Sequence, residues 1–181
     1  MNIHQTINKA AKILIKNKIK TPYLDSELLL SKVISKDRGY IILNLKETIS
    51  KKYLYEFYHL IQRRKKGEPV AYLINYKDFW KQKYFVNKDV LIPRPDTEVL
   101  IEQTLQMFGK DKRLRILDIG TGSGCLVLSI LKERKNFIGV GIDISKKALK
   151  VANFNAKLQH LKIGLNFIIQ ILTNFFLVNM I

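Results

Sequence analysis

Three glycines at alternate positions, Gly120, Gly122 and Gly124, follow the apolar run Leu114-Arg115-Ile116-Leu117-Asp118-Ile119 and precede the apolar stretch that begins at Cys125. Glycines so spaced allow a tight turn and let backbone N–H groups approach a ligand closely at the start of the next helix. A dinucleotide loop reads G-x-G-x-x-G and sets a pyrophosphate against that helix. Here the spacing is G-x-G-x-G, with Asp118 two residues ahead of it. A carboxylate at that place repels a pyrophosphate and suits a ligand carrying an ammonium or a sulfonium. Asp143 lies 23 residues past Gly120, at the end of a second apolar run, Phe137 to Ile142. A carboxylate there can accept both hydroxyls of a ribose. Together these residues point to S-adenosylmethionine rather than NAD. A tight turn without a ligand would account for the glycines but not for Asp143. The expected cofactor set is Gly120, Thr121, Gly122, Ser123, Gly124 and Asp143.

Those residues need a strand–loop–helix–strand frame, and the pattern from Arg113 onward supplies one. Leu114–Ile119 reads as a strand, Cys125 to about Glu133 as a helix, and Phe137–Ile142 as a second strand. Ser145 is placed to cap a helix carrying Ala148, Val151, Ala152 and Phe154. This is the opening of a doubly wound α/β domain. Residues 1 to about 66 read as helices. Ile3, Ile7, Ala11 and Leu14 share one helical stripe, Pro22 suits a first turn, Gly39 breaks the pattern, and Ser50 suits the N-cap of a long helix. That helix carries the Tyr53, Tyr55, Phe57, Tyr58 cluster, expected to be half core and half surface. The basic run Arg63-Arg64-Lys65-Lys66 then reads as a helix end stopped by Gly67. Val70, Tyr72 and Ile74 alternate, and the apolar residues through Leu91 suggest two or three short strands with a turn at Asn75-Tyr76-Lys77-Asp78. Phe79 and Trp80 suit the packing of that hairpin. Pro93-Arg94-Pro95 stiffens the chain before a helix from Thr97 to Gly109. The expected organisation is a helical domain over 1–66, a β-hairpin linker over 67–92, and part of a doubly wound α/β domain over 93–181.

Composition narrows the class. Of 181 residues, 47% are hydrophobic and 26% charged, a globular mix. The single Cys rules out a disulfide framework, and His4, His59 and His160 show no ligand spacing, so no metal is expected. Cys125 begins a helix, but no base accompanies it, so it reads as a packed residue. No basic segment leads into an apolar one at the N-terminus, so a cytoplasmic chain is expected, with no membrane partner. The formal charge of +17 admits indirect proximity to ribosomes or nucleic acid. However, Lys supplies 25 of the 32 basic residues and they are scattered, so no nucleic-acid-reading domain is indicated.

Four segments carry a resemblance: Gly67-Glu68-Pro69-Val70-Ala71-Tyr72-Leu73, Phe79-Trp80, Val90-Leu91-Ile92-Pro93-Arg94-Pro95-Asp96-Thr97-Glu98, and Ile116 to Cys125. They resemble the HemK/PrmC family of release factor glutamine N5-methyltransferases, from about residue 20 to about residue 158. The Pro-Arg-Pro-Asp-Thr-Glu run is specific to that family, whereas the glycine loop is shared by methyltransferases at large. The resemblance implies an α/β fold: a helical N-terminal domain that docks a release factor, a β-hairpin linker, and a Rossmann-like domain. It implies S-adenosylmethionine as cofactor, with Gly120–Gly124 at its methionine moiety and Asp143 at its ribose. The partner implied is a peptide chain release factor, methylated on the glutamine of its Gly-Gly-Gln motif. Arg94, Glu98 and Asp118 are candidates for lining the same pocket.

The family's acceptor motif, Asn-Pro-Pro-Tyr, does not occur here; the last proline is Pro95. No catalytic residue is therefore assigned, and a shortened copy with little or no turnover is expected, or one that only binds the release factor. A nucleic-acid methyltransferase is a weaker alternative, favoured by charge alone. Residues 163–181 carry no ionisable side chain. An out-of-frame tail is the favoured explanation, a third strand at Leu165–Ile169 comes next, and a membrane helix last. Separately, the open apolar edge of an incomplete sheet leads to an expectation of aggregation or partial disorder beyond about Leu158.

Overall fold

The computed structural model describes residues 1–161 and 165–169. The chain divides into two compact units, 1–74 and 75–181.

The first unit is helical: α1 (Ile3–Lys16), α2 (Pro22–Ile34), α3 (Arg38–Leu43), α4 (Lys51–Lys65) and α5 (Val70–Ile74). Asn2 closes a capping box with Gln5 at the head of α1, and Ile3, Ile7, Ala11 and Leu14 form its buried stripe as expected. Pro22 opens α2, and Ser50 caps α4 through the Tyr53 N–H. Phe57 is fully buried while Tyr55 is exposed, so the aromatic cluster is split between core and surface. Within the basic run, Arg63 pairs with Glu68, and Arg64 reaches back to the buried Asp25 at 2.6 Å.

Two expectations for this unit need correction. Gly39 does not end helical structure but lies inside α3, because the Asp37 side chain accepts the Tyr40 N–H at 2.7 Å and fixes the first turn. Val70, Tyr72 and Ile74 are not in a strand. They belong to α5, where the Pro69 carbonyl accepts from the Tyr72 and Leu73 amides and Ala71, Leu73 and Ile74 are buried. A five-residue apolar alternation fits either state, and packing decided it.

The second unit starts with a hairpin, β1 (Tyr76–Phe79) and β2 (Gln82–Phe85). The pairing Phe79↔Gln82 puts the turn at Trp80-Lys81, with Trp80 at φ 53, rather than at residues 75–78. This register places Phe79 and Tyr84 together in the core as an edge-to-face pair. The hairpin is part of the second unit: the Tyr84 hydroxyl meets Ser129 Oγ at 2.7 Å, and the Trp80 indole donates to Glu133 at 2.8 Å.

A 3-10 turn (Pro95–Thr97) leads into α6 (Glu98–Met107), then β3 (Arg115–Ile119), α7 (Cys125–Glu133), β4 (Ile138–Asp143), α8 (Lys146–Leu158) and β5 (Leu165–Ile169). The three strands are parallel, in the order β3-β4-β5. Connections that advance along a parallel sheet in one direction put their helices on one face, given right-handed crossovers. Gly139 fits that packing: a Cβ there would lie 2.6 Å from Val127 Cγ2 and 2.8 Å from Leu131 Cδ1 of α7. The buried Arg134 donates to the Leu105 and Phe108 carbonyls and so caps the C-terminus of α6.

The strand at Leu165–Ile169 pairs in register with β4, from Gly139↔Leu165 to Asp143↔Ile169. This is the third strand that the sequence offered as one reading of the uncharged stretch. The expectations for 170–181 lie outside the described residues.

Candidate functional site

β3 and β4 end side by side, and the glycine loop folds over their C-terminal ends. Gly120 and Thr121 both donate their N–H to the Ile142 carbonyl, at 2.9 and 3.0 Å. Gly120, Gly122 and Gly124 have φ of 74, 54 and 79. All three are left-handed, which is why a side chain is absent at each. A Cβ added at Gly120 would meet no atom within 4 Å, so conformation rather than space demands glycine there. Gly124 is the N-cap of α7, so the loop delivers the positive end of that helix to the strand ends.

A cleft of about 140 Å³ opens here, walled by Leu91, Ile92, Pro93, Arg94 and Thr97 on one side and by Asp118, Gly120, Thr121, Gly122 and Ser123 on the other. Asp118 accepts the Thr121 hydroxyl at 2.7 Å. Burial pushes its carboxyl above the usual carboxylate range, and the nearby Asp143 adds to the push. The Thr121 hydroxyl and the Val127 amide pull it part of the way back. Asp143 accepts the Gly122 N–H on one oxygen at 2.9 Å and the Ser145 N–H on the other at 2.8 Å. It thereby ties β4 to the middle of the loop. An ionised carboxylate has about four acceptor positions, so both oxygens keep capacity for a further donor.

Of the other pocket candidates, Arg94 stands at this cleft, whereas Glu98 is not among its lining residues. Arg94 pairs with Asp96 at 2.6 Å, both side chains being exposed. Glu98 accepts the Trp80 backbone N–H at 2.7 Å and so holds the hairpin turn. Cys125 lines the cleft, and burial pushes its thiol up to about 11, as befits a packed residue.

Asn155 was not foreseen. It is fully buried, it accepts the Phe85 N–H at 2.7 Å, and it donates to the Phe85 carbonyl at 3.0 Å and to the Ser123 carbonyl at 2.8 Å. The one sequence signal was a polar residue on the apolar stripe of α8, between Ala152 and Ala156. Among the described residues, no helix is long and apolar enough to cross a membrane, and no group of three or more His, Cys, Asp or Glu is placed to hold a metal.

Comparison with known proteins matches the two units to two domains. A PrmC N-terminal domain corresponds to residues 5–74, and a methyltransferase domain to residues 110–177. The second match runs past Leu158, where the likeness was expected to fade. The release factor glutamine methyltransferase of Coxiella burnetii is 43% identical over 143 residues, covering 79% of this chain and 52% of that protein. The one of Buchnera aphidicola subsp. Baizongia pistaciae is 39% identical over 154 residues, covering 85% and 56% respectively. A bifunctional methyltransferase of Rickettsia felis is 36% identical over 186 residues, covering 88% and 35%. The chain spans about half the length of the release factor glutamine methyltransferases it matches. With both domains in this order, the chain is similar to about half the length of the release factor glutamine methyltransferases, and residues 5–74 match the PrmC N-terminal domain.

Proposed function

We propose that the cleft over β3 and β4 binds S-adenosylmethionine, and that the chain serves methyl transfer to the glutamine of a release factor's Gly-Gly-Gln motif. The observation that carries the cofactor reading is the carboxylate pair. Asp118 is held in a half-buried site where ionisation is disfavoured, with Asp143 close enough to disfavour it further. A cation in the cleft relieves both effects, and the sulfonium and ammonium of S-adenosylmethionine are cations. A pyrophosphate would worsen them.

The residues fit the group in other ways. The left-handed glycines leave the loop without side chains where the methionine moiety would lie. Asp143, already oriented by the Gly122 and Ser145 amides, has acceptor capacity for the ribose hydroxyls. The wall from Leu91 to Thr97, stiffened by Pro93 and Pro95, limits water on the opposite side. When bound, the cofactor supplies an electrophilic methyl group on a sulfonium. An amide nitrogen is a poor nucleophile, so transfer depends on holding it in line with that methyl. The acceptor-holding Asn-Pro-Pro-Tyr is not among the 181 residues.

The match of residues 5–74 to the PrmC N-terminal domain carries a second reading, a chain that binds a release factor through residues 1–66 without methylating it. The names of the relatives support the release factor as partner. A cytoplasmic setting, with indirect proximity to the ribosome through the +17 charge, belongs to the same proposal. The test is to incubate the protein with a purified release factor and methyl-labelled cofactor, beside the Coxiella burnetii relative. Label on the Gly-Gly-Gln glutamine is the result for methyl transfer. Capture of the release factor by the full chain but not by residues 67–181, without label, is the result for binding alone. Neither capture nor label would refute the release factor as partner.

A further inference from the structure

We infer that Asn155 is a positioning residue that sets the glycine loop for the cofactor by gripping the loop and the hairpin at once. The inference rests on the cofactor reading above and adds to it a residue remote from the cleft. Asn155 is fully buried in α8. Its side-chain amide has one acceptor oxygen and two N–H donors, and each finds a partner. The oxygen accepts the Phe85 N–H, one N–H donates to the Phe85 carbonyl, and the other donates to the Ser123 carbonyl.

The geometry explains why an amide is needed. In the β1–β2 register, Lys77↔Tyr84 and Phe79↔Gln82, the peptide groups of Lys83 and Phe85 lie on the outer edge of β2. Asn155 pairs with the Phe85 N–H and C=O as a neighbouring strand residue would. One turn along α8, Gln159 donates to the Lys83 carbonyl at 3.0 Å. Both side chains thus hold the hairpin edge, but only Asn155 also reaches the loop. Ser123 lies between Gly122, whose N–H binds Asp143, and Gly124, which caps α7. Fixing the Ser123 carbonyl constrains the two loop residues whose amides and dihedrals shape the cleft. No aliphatic, hydroxyl or carboxylate side chain supplies one acceptor and two donors at that reach.

Gln159 provides the internal control. If the two residues merely pin the hairpin, Asn155→Ala and Gln159→Ala should lower stability and leave cofactor affinity alone. If Asn155 positions the loop, Asn155→Ala should raise the Kd for S-adenosylmethionine at least tenfold, with Gln159→Ala within about twofold of wild type. Amide hydrogen exchange at Gly122–Cys125 should quicken in Asn155→Ala and not in Gln159→Ala, with no ligand present. Should Asn155→Ala not fold, Asn155→Asp takes its place, since it keeps the volume and the acceptor for Phe85 and removes both donors. Equal effects of the Asn155 and Gln159 variants on affinity and loop exchange would overturn the inference. So would wild-type affinity and wild-type loop exchange in a folded Asn155 variant. If the wild-type protein itself does not bind S-adenosylmethionine, the cofactor reading fails, and the ligand-free exchange comparison still decides the role of Asn155.

Discussion

Gly139→Ala tests the packing that brings α7 and its N-terminal loop to the sheet. A Cβ at this position would sit 2.6 Å from Val127 Cγ2 and 2.8 Å from Leu131 Cδ1. Both distances fall about 1 Å short of the ~3.5–4.0 Å optimum for carbon pairs. Leu131 Cδ1 is the end of a flexible side chain and can rotate away. Val127 is β-branched and fully buried, so its methyl moves only if α7 moves. Overpacking of this kind costs ~1–3 kcal/mol. Against it, replacing glycine by alanine removes ~0.4–1 kcal/mol of unfolded-chain entropy where the backbone is compatible. The net expectation is a loss of roughly 1–2 kcal/mol, or roughly 4–8 °C in Tm for a unit of about 100 residues. The only tryptophan, Trp80, lies in the second unit, so its fluorescence in a denaturant titration follows that unit alone. Val127→Ala removes the obstructing methyl, and the double variant should recover about 1 kcal/mol relative to the sum of the singles. Gly120→Ala is the contrast, because its cost of roughly 1–2 kcal/mol comes from the left-handed conformation and no trimmed neighbour restores it. A Gly139→Ala protein as stable as wild type, or strict additivity with Val127→Ala, would refute the account of this packing.

Asp118 gives a pH dependence of known sign. Its folded carboxyl is raised, so the ligand-free protein holds that proton more tightly than the unfolded chain does, and stability falls as pH rises from the unfolded value through the raised one. A cation in the cleft favours the ionised form. Affinity for S-adenosylmethionine should therefore increase as pH climbs through that window, with proton release visible in calorimetry in buffers of different ionisation enthalpy, and Asp118→Asn should flatten the profile. In the first unit, Arg64→Ala leaves Asp25, whose side chain is 2% exposed, with the Thr21 hydroxyl alone. A loss of ~3–5 kcal/mol is expected for breaking such a pair, read as the loss of helical circular dichroism in denaturant. Cys125, with its thiol pushed up to about 11, should react with a maleimide at neutral pH far more slowly in the folded protein than in denaturant.

The parts of the fold written in local chemistry were legible. The glycine spacing, the apolar strands on either side of it, the Ser145 and Ser50 caps and the terminal Asp143 each depend on a few adjacent residues, and each stands where the sequence placed it. What was misread depends on partners far along the chain. Asn75 does adopt a left-handed φ of 62, so the turn signal there was real, yet the hairpin closes at Trp80 because Phe79 and Tyr84 must be buried on one face. Trp80 tolerates a φ of 53 with its N–H held by Glu98 and its indole by Glu133. Val70–Ile74 is helical for a similar reason: buried positions, not local periodicity, fixed its state. Asn155 acts through residues 70 and 32 positions away, and no sequence window connects them. The uncharged stretch after Lys162 looked foreign by composition, although residues 165–169 form a strand register-matched to β4.

Isothermal titration of S-adenosylmethionine into the wild-type protein and into Asp143→Ala addresses the cradle directly. Saturable one-to-one binding by wild type, weakened at least tenfold by the substitution while the Trp80-monitored unfolding stays cooperative, is the outcome the carboxylate-and-glycine geometry requires. Wild-type heats no larger than dilution, or equal affinity in the two proteins, would contradict it.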